Sequence, residues 1–173
     1  MVLLTFDAGA ERGEVERTLD LLAAEEIQAA FAFTGGYVRA NEDAVVRLVE
    51  EGHVLVNHSD QHPSFTGFSN ERGRLSDPER ITTVEDGDQV LVDAAGVSSR
   101  PLFRPPYGDM DQDGLDLLPS LGYTVNLMWT IDCGGWLRLP AAETLTRCLD
   151  ATEPGTIYLL HVGHESAEID MLP

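Results

Sequence analysis

The sequence predicts an α/β fold of parallel strands covered by helices, and three observations lead to it. Short apolar runs rich in β-branched and aromatic residues recur along the chain. Most of them are followed by a segment with apolar residues at helical spacing, so strands join through helical crossovers. No repeat, low-complexity stretch or linker-like composition interrupts this alternation, and the 173 residues, 1–173, are read as one domain.

Val2 to Phe6 is the first strand, and Asp7 stands at its C-terminal end before Ala8-Gly9. From about Gly13 to Ile27, Val15, Leu19, Leu22, Ala23 and Ile27 repeat at helical spacing opposite an acidic face, the pattern of a helix covering a sheet. Ala29 to Thr34 is a second strand closed by Gly35-Gly36, and a helix follows from about Asn41 to Glu51. His53 to Asn57 is the third strand, delivering His58 and His62 into a loop or short helical turn. Pro63 to Asp77 is rich in Ser, Gly and Asn and reads as a long surface loop, of the kind that forms substrate walls. A helix from about Pro78 to Ala95 begins with Asp77 as N-cap, although Thr82, Thr83, Val84 and Gly87 weaken its interior. Pro101 to Phe103 is strand, about Gln112 to Leu121 helix, Tyr123 to Trp129 strand, Leu139 to Asp150 helix and Thr156 to Leu160 strand. That makes about six strands, with too little chain after His161 for another helix and strand.

Hydrophobic residues make up 43% and charged residues 24%, an ordinary globular balance, and no apolar run approaches the roughly 20 residues that span a bilayer. The formal charge of −19, from 30 acidic and 11 basic residues, argues against nucleic acid and anionic membranes as partners. Every basic residue is an arginine. Such a charge fits a solvated acidic surface, adaptation to salt or an extracellular life. Cys133 and Cys148 are too few for a disulfide scaffold or a multi-thiolate metal site, and leave the redox compartment open. The opening MVLLTFDAG has neither charged leader nor cleavage site, so no secretion signal is expected in this chain.

In parallel α/β folds the loops at the strand C-termini converge on one face and form the site. Asp7, His58 with His62, Arg104, Asp132 and His161 all fall just beyond predicted strand ends. Two imidazoles four residues apart are close enough to share one divalent metal. Each residue alone has a structural explanation; together they point to one site.

The strings TFDAG, NHSDQH, FRPPYG, WTIDCGGW and LLH, in that order, resemble the five motifs of the polysaccharide deacetylase family, the NodB-like domain of carbohydrate esterase family 4. The resemblance implies a distorted (β/α)7 barrel that removes acetyl groups from glycans such as chitin or peptidoglycan with a divalent metal, often zinc. It implies His58 and His62 as metal ligands, Asp7 as general base, Arg104 holding Asp7 charged, the Tyr107 N–H as oxyanion donor and His161 as general acid. It further implies a polysaccharide or oligosaccharide as partner, a monomer, and an extracellular or cell-envelope location. Trp136 is expected as an aromatic wall for a sugar ring or as packing under its loop.

Two positions depart from the family pattern. Ala8 stands where a second aspartate usually supplies a metal ligand, which leaves two protein ligands; Glu11, Asp60, Asn57, Asp7 or a water are the candidates for the third place. Gly135 stands where an aspartate commonly tunes the catalytic histidine, and Asp132 is the nearby residue that either takes over that task or caps its strand. With so few strands, an incomplete or truncated barrel with weak closure between its first and last strands is expected. Alongside the deacetylase stand a silent carbohydrate-binding relative and a metal-independent, allantoinase-like amidohydrolase.

Overall fold

The computed structural model describes residues 1–9, 11–163 and 168–171. Among these, seven parallel strands form one sheet in the order β5-β4-β3-β2-β1-β7-β6. They are β1 (Leu3–Ala8), β2 (Ala30–Phe33), β3 (Val54–Asn57), β4 (Leu102–Phe103), β5 (Val125–Asn126), β6 (Ile131–Asp132) and β7 (Ile157–His161). The helices between them are α1 (Val15–Ala24), α2 (Gly35–Ala40), α3 (Glu42–Glu50), α4 (Asp77–Ala95), α5 (Gln112–Leu117) and α6 (Ala141–Leu149). The sheet curls into an incomplete barrel.

The curl follows from what each face of the sheet carries. In register, Phe6 lies beside Phe31, and Asp7 beside Ala32 and His161. Phe6, Phe31, Phe33 and Leu55 point outward and pack with Val15, Leu19 and Leu22 of α1 and Val45 and Leu48 of α3. Each such side chain fully buried contributes roughly 1.5–3 kcal/mol. The inner face carries the smaller Ala30, Ala32 and Val56, packed against Leu102 and Leu127. Bulk outside and small residues inside let the sheet bend around its inner face, and that face opens at the strand C-termini.

Two expectations are corrected here. The stretch read as one strand from Tyr123 to Trp129 is only β5, and a separate β6 follows; both are two residues long, too short for an alternation pattern to reveal. The seam between first and last strands is not weak: β1 and β7 pair over five residues, from Leu3 with Ile157 to Asp7 with His161. The edges of the sheet are β5 and β6.

Helix α4 is continuous across the residues that weaken it, and Thr83, Val84 and Gly87 among them stand against Asn57 of β3 and the loop that follows it. Asn57 donates to the Val84 carbonyl at 2.8 Å, and the Asp60 N–H donates to the Thr83 carbonyl at 2.8 Å. A Cβ on Gly87 would stand 2.8 Å from Asn57 Oδ1 and 2.9 Å from the Ser59 carbonyl carbon, so the glycine permits the close approach. The helix begins one position earlier than expected, with Ser76 as N-cap in a capping box with Glu79. The loop before it is pinned: Phe65 is buried, and its carbonyl accepts from Arg80 Nη2 at 3.0 Å.

Candidate active site

Asp7 is the penultimate residue of β1, His58 follows β3, Arg104 follows β4, Asp132 ends β6 and His161 ends β7. The barrel geometry brings all five to one end. Asp7, His58, His62, Tyr107, Asp132, Trp136 and His161 line a single cleft of about 450 Å³, together with Ala8, Gly9, Trp129 and Leu159. Arg104 does not line it; the guanidinium lies beneath, fully buried.

The ladder dictates the contacts. Arg104 N–H donates to the Asn57 carbonyl at 2.9 Å, which sets Arg104 beside His58. From there Arg104 Nη1 donates to Asp7 Oδ1 at 2.5 Å, its Nε donates to the Leu127 carbonyl at 2.7 Å, and its guanidinium lies 5.6 Å from the Trp129 ring centre. One carboxylate oxygen of Asp7 is thus held, and the other, Oδ2, stands 3.5 Å from His58 Nε2.

His58 and His62 meet through a loop rather than a helical turn. Ser59 and His62 both take left-handed backbone angles, with φ of +66° and +55°. For non-glycine residues this costs roughly 1–2 kcal/mol each, a strain typical of functional loops. The His62 N–H is caught by Ser59 Oγ at 3.2 Å, and the two imidazole Nε2 atoms come to 3.1 Å. The opposite nitrogen of His58, Nδ1, lies 2.8 Å from the Arg104 carbonyl. A carbonyl only accepts, so Nδ1 carries the proton and Nε2 keeps its lone pair. Burial pushes the His58 imidazole below its ordinary pKa, and burial followed by the proximity of His58 pushes His62 down to about 3.

These residues supply part of a metal site. Two nitrogen ligands of a tetrahedral zinc ion, each about 2.0–2.1 Å from it, stand roughly 3.3 Å apart, close to the observed Nε2 separation of 3.1 Å. Both rings are neutral and one is oriented by a carbonyl, as metal-bound histidines are. Among the described residues there is no cluster of three or more His, Cys, Asp or Glu able to hold an ion. Of the candidates for a third place, Asp60 is paired with Arg39 at 2.6 Å, Asn57 is spent on Val84, Ser59 and Tyr123, and Glu11 is exposed. Only Asp7 among them lines the cleft.

At the far wall, His161 Nδ1 stands 3.4 Å from Glu168 Oε2. Glu168 is fully buried and was not singled out by the sequence. Burial alone would lower the His161 pKa, but Glu168, with Asp7 and Asp132 further off, outweighs it and raises it. Asp132 is otherwise engaged: Oδ1 accepts from the Gly134 N–H at 2.8 Å and Oδ2 from Trp136 Nε1 at 3.1 Å. It therefore anchors Trp136, whose ring is 60% exposed and free to meet a ligand. Tyr107, with φ of +61°, sets its half-exposed ring edge-on to His62 at 4.5 Å. A second hollow of about 510 Å³ continues past His62 and Tyr107 towards Ser64, Arg72 and Leu75.

Cys133, directly after β6, forms a disulfide with Cys148 of α6. The sequence left this pairing open.

Known proteins resemble this chain in sequence and fold. The chain is 31% identical over 171 residues to an uncharacterized 30.6 kDa protein of Geobacillus stearothermophilus, covering 96% of this chain and 62% of that protein. It is 30% identical over 173 residues to a chitooligosaccharide deacetylase of Bradyrhizobium sp. (strain ANU 289), covering 96% and 73%. It superposes on the crystal structure of a peptidoglycan N-acetylglucosamine deacetylase with a TM-score of 0.88 and 26% identity, covering 99% of this chain and 77% of that one. The family model for polysaccharide deacetylase matches residues 1–126, which hold Asp7, His58, His62 and Arg104. With the fold, the cleft and the matched segment in agreement, the chain belongs to the polysaccharide deacetylase family.

Proposed function

We propose that this chain is a single catalytic domain that hydrolyses acetamido groups on an N-acetylated polysaccharide of the peptidoglycan or chitin type. One observation carries this reading: a proton acceptor, Asp7, and a proton donor, His161, are neighbours across the β1–β7 ladder in a cleft that also holds two converging imidazoles. The names of relatives acting on chitooligosaccharide and peptidoglycan support the substrate class.

Asp7 Oδ2, the oxygen not held by Arg104, takes a proton from a water in the cleft. The water oxygen adds to the acetyl carbonyl carbon, and the Tyr107 N–H steadies the charge that develops on the carbonyl oxygen. His161 then gives its proton to the glycan nitrogen as the carbon–nitrogen bond breaks. The products are acetate and a free amine on the sugar. Trp136, anchored by Asp132, and Tyr107 offer ring faces to the pyranose. A divalent ion held by His58 and His62, zinc by the chemistry of the donors, would polarise the acetyl carbonyl and acidify the attacking water.

The Cys133–Cys148 bond suits an oxidising environment, and location at or outside the cell envelope follows from that and from the substrate. No described helix is long and apolar enough to cross a membrane. The chain acts as a monomer on this reading, since one copy holds every residue invoked. Acetate release from N-acetylated chitooligosaccharides is the test. It is expected with added zinc, to stop with a chelator and to be lost in His58→Ala; activity of the chelated His58→Ala protein equal to wild type would refute the reading.

A further inference from the structure

Glu168 lies seven residues beyond His161 and outside every motif that the family resemblance rests on. It is fully buried, yet both its oxygens are spoken for: Oε1 accepts from the Gly135 N–H at 3.0 Å and Oε2 from the His161 N–H at 2.6 Å. An amide here would turn a hydrogen towards one of those N–H groups, so the site suits a carboxyl group. The same Oε2 faces His161 Nδ1. A Cβ built on Gly135 falls directly on the Glu168 carboxyl group. Position 135 is therefore glycine for a steric reason: the volume that a side chain there would fill already holds a carboxylate delivered from the C-terminal segment.

We propose that Glu168 is the positioning residue of His161, holding its Nδ1–H so that Nε2, on the opposite edge of the ring, is presented to the substrate. The proposal rests on the deacetylase reading for its catalytic meaning, though not for its geometry. Asp7 and Asp132 also face His161, and His58 and His62 stand across the cleft, but Asp7 is bound to Arg104 and Asp132 to Gly134 and Trp136. Asp132 thus holds the tryptophan wall, and Glu168 holds the histidine.

The test moves the carboxylate between the two positions. Glu168→Ala is expected to lower kcat by roughly tenfold to a hundredfold, the usual effect of losing an orienting partner, with KM little changed. Gly135→Asp alone is expected to misfold locally or lose activity, because two carboxylates compete for one volume. The double variant Glu168→Ala/Gly135→Asp returns a carboxylate to that volume and is expected to recover most of kcat. Nitrogen NMR of the His161 ring gives an answer independent of turnover: the neutral ring is expected as the Nδ1–H tautomer in wild type and the double variant, and the Nε2–H tautomer in Glu168→Ala. Wild-type kcat and an unchanged tautomer in a folded Glu168→Ala protein would overturn the proposal. So would a loss of kcat that the double variant does not repair. If wild type releases no acetate, the deacetylase reading fails, and the tautomer comparison alone decides the role of Glu168.

Discussion

Asp7 and Arg104 form the buried charge pair on which the cleft floor depends. Replacing Arg104 by alanine leaves a buried carboxylate without its partner, and a loss of about 3–5 kcal/mol is expected in urea unfolding. Asp7→Asn removes the acceptor while nearly preserving shape, so it is expected to cut turnover by roughly 10²–10⁴; it also leaves the buried Arg104 guanidinium without its counter-charge, so a loss of stability accompanies it. At Ala8 the expectation runs the other way. Ala8 lines the cleft one residue from Asp7, and Ala8→Asp would offer the third ligand that the described cluster does not contain. Its gain in zinc affinity, measured by calorimetry, should exceed the roughly tenfold to hundredfold effect of an outer-shell partner; an unchanged affinity would mean that position 8 does not reach the ion. The histidines and Asp7 were legible because their motifs are local. Glu168 was not, because a buried carboxylate in a terminal segment follows no periodicity, and the only trace it left was a glycine 33 residues earlier.

The interior of α4 was hard to read for an instructive reason. Propensity scales penalise Thr82, Thr83 and Gly87, yet Thr83, Val84 and Gly87 form the face against which the His58 loop rests. Propensity is worth at most about 1 kcal/mol per residue, and this tertiary contact outweighs it. Gly87→Ala decides between the two effects. On an exposed helix the change would stabilise by about 0.8–1 kcal/mol; here the new methyl meets Asn57 and Ser59, and a net loss of about 1–3 kcal/mol is expected from overpacking. Stabilisation on urea titration would show that α4 can move off the loop freely. The β5 and β6 strands escaped the reading at the same scale, since two-residue strands take their identity from pairing with β4 and β7 and not from their own composition.

For the whole molecule, alternation of apolar runs was enough to predict a parallel α/β fold and the motif resemblance implied the barrel, while the pairing of first and last strands was not legible, because it depends on register. The β1–β7 ladder joins the two ends of the chain and places Asp7 against His161, so the strand pairing that completes the fold also assembles the acid and base. The disulfide ties β6 to α6 at a sequence separation of 15. Cys148→Ser is expected to cost about 2–4 kcal/mol, with reduction of wild type giving a similar loss of stability. Asp88 governs part of the acid limit: burial would raise its carboxyl pKa, but hydrogen bonds from Ser99 and Ser98 and the Arg100 charge outweigh it and lower it. A folded pKa below the unfolded value of 3.8 stabilises above that pH, and the contribution is lost as pH falls through the folded value. Thermal melts of Asp88→Asn should therefore be less stable than wild type at neutral pH, with the two curves converging below about pH 4.

The most direct measurement of the account is acetate released from an N-acetylated chitooligosaccharide by zinc-loaded wild type and Asp7→Asn, with the folded state of each checked by its melting curve. Equal amounts of acetate and new free amine from wild type, and a fall of roughly 10²–10⁴ in Asp7→Asn, are expected. Equal release by both proteins, or no release by well-folded, zinc-loaded wild type, would contradict the assignment of this cleft.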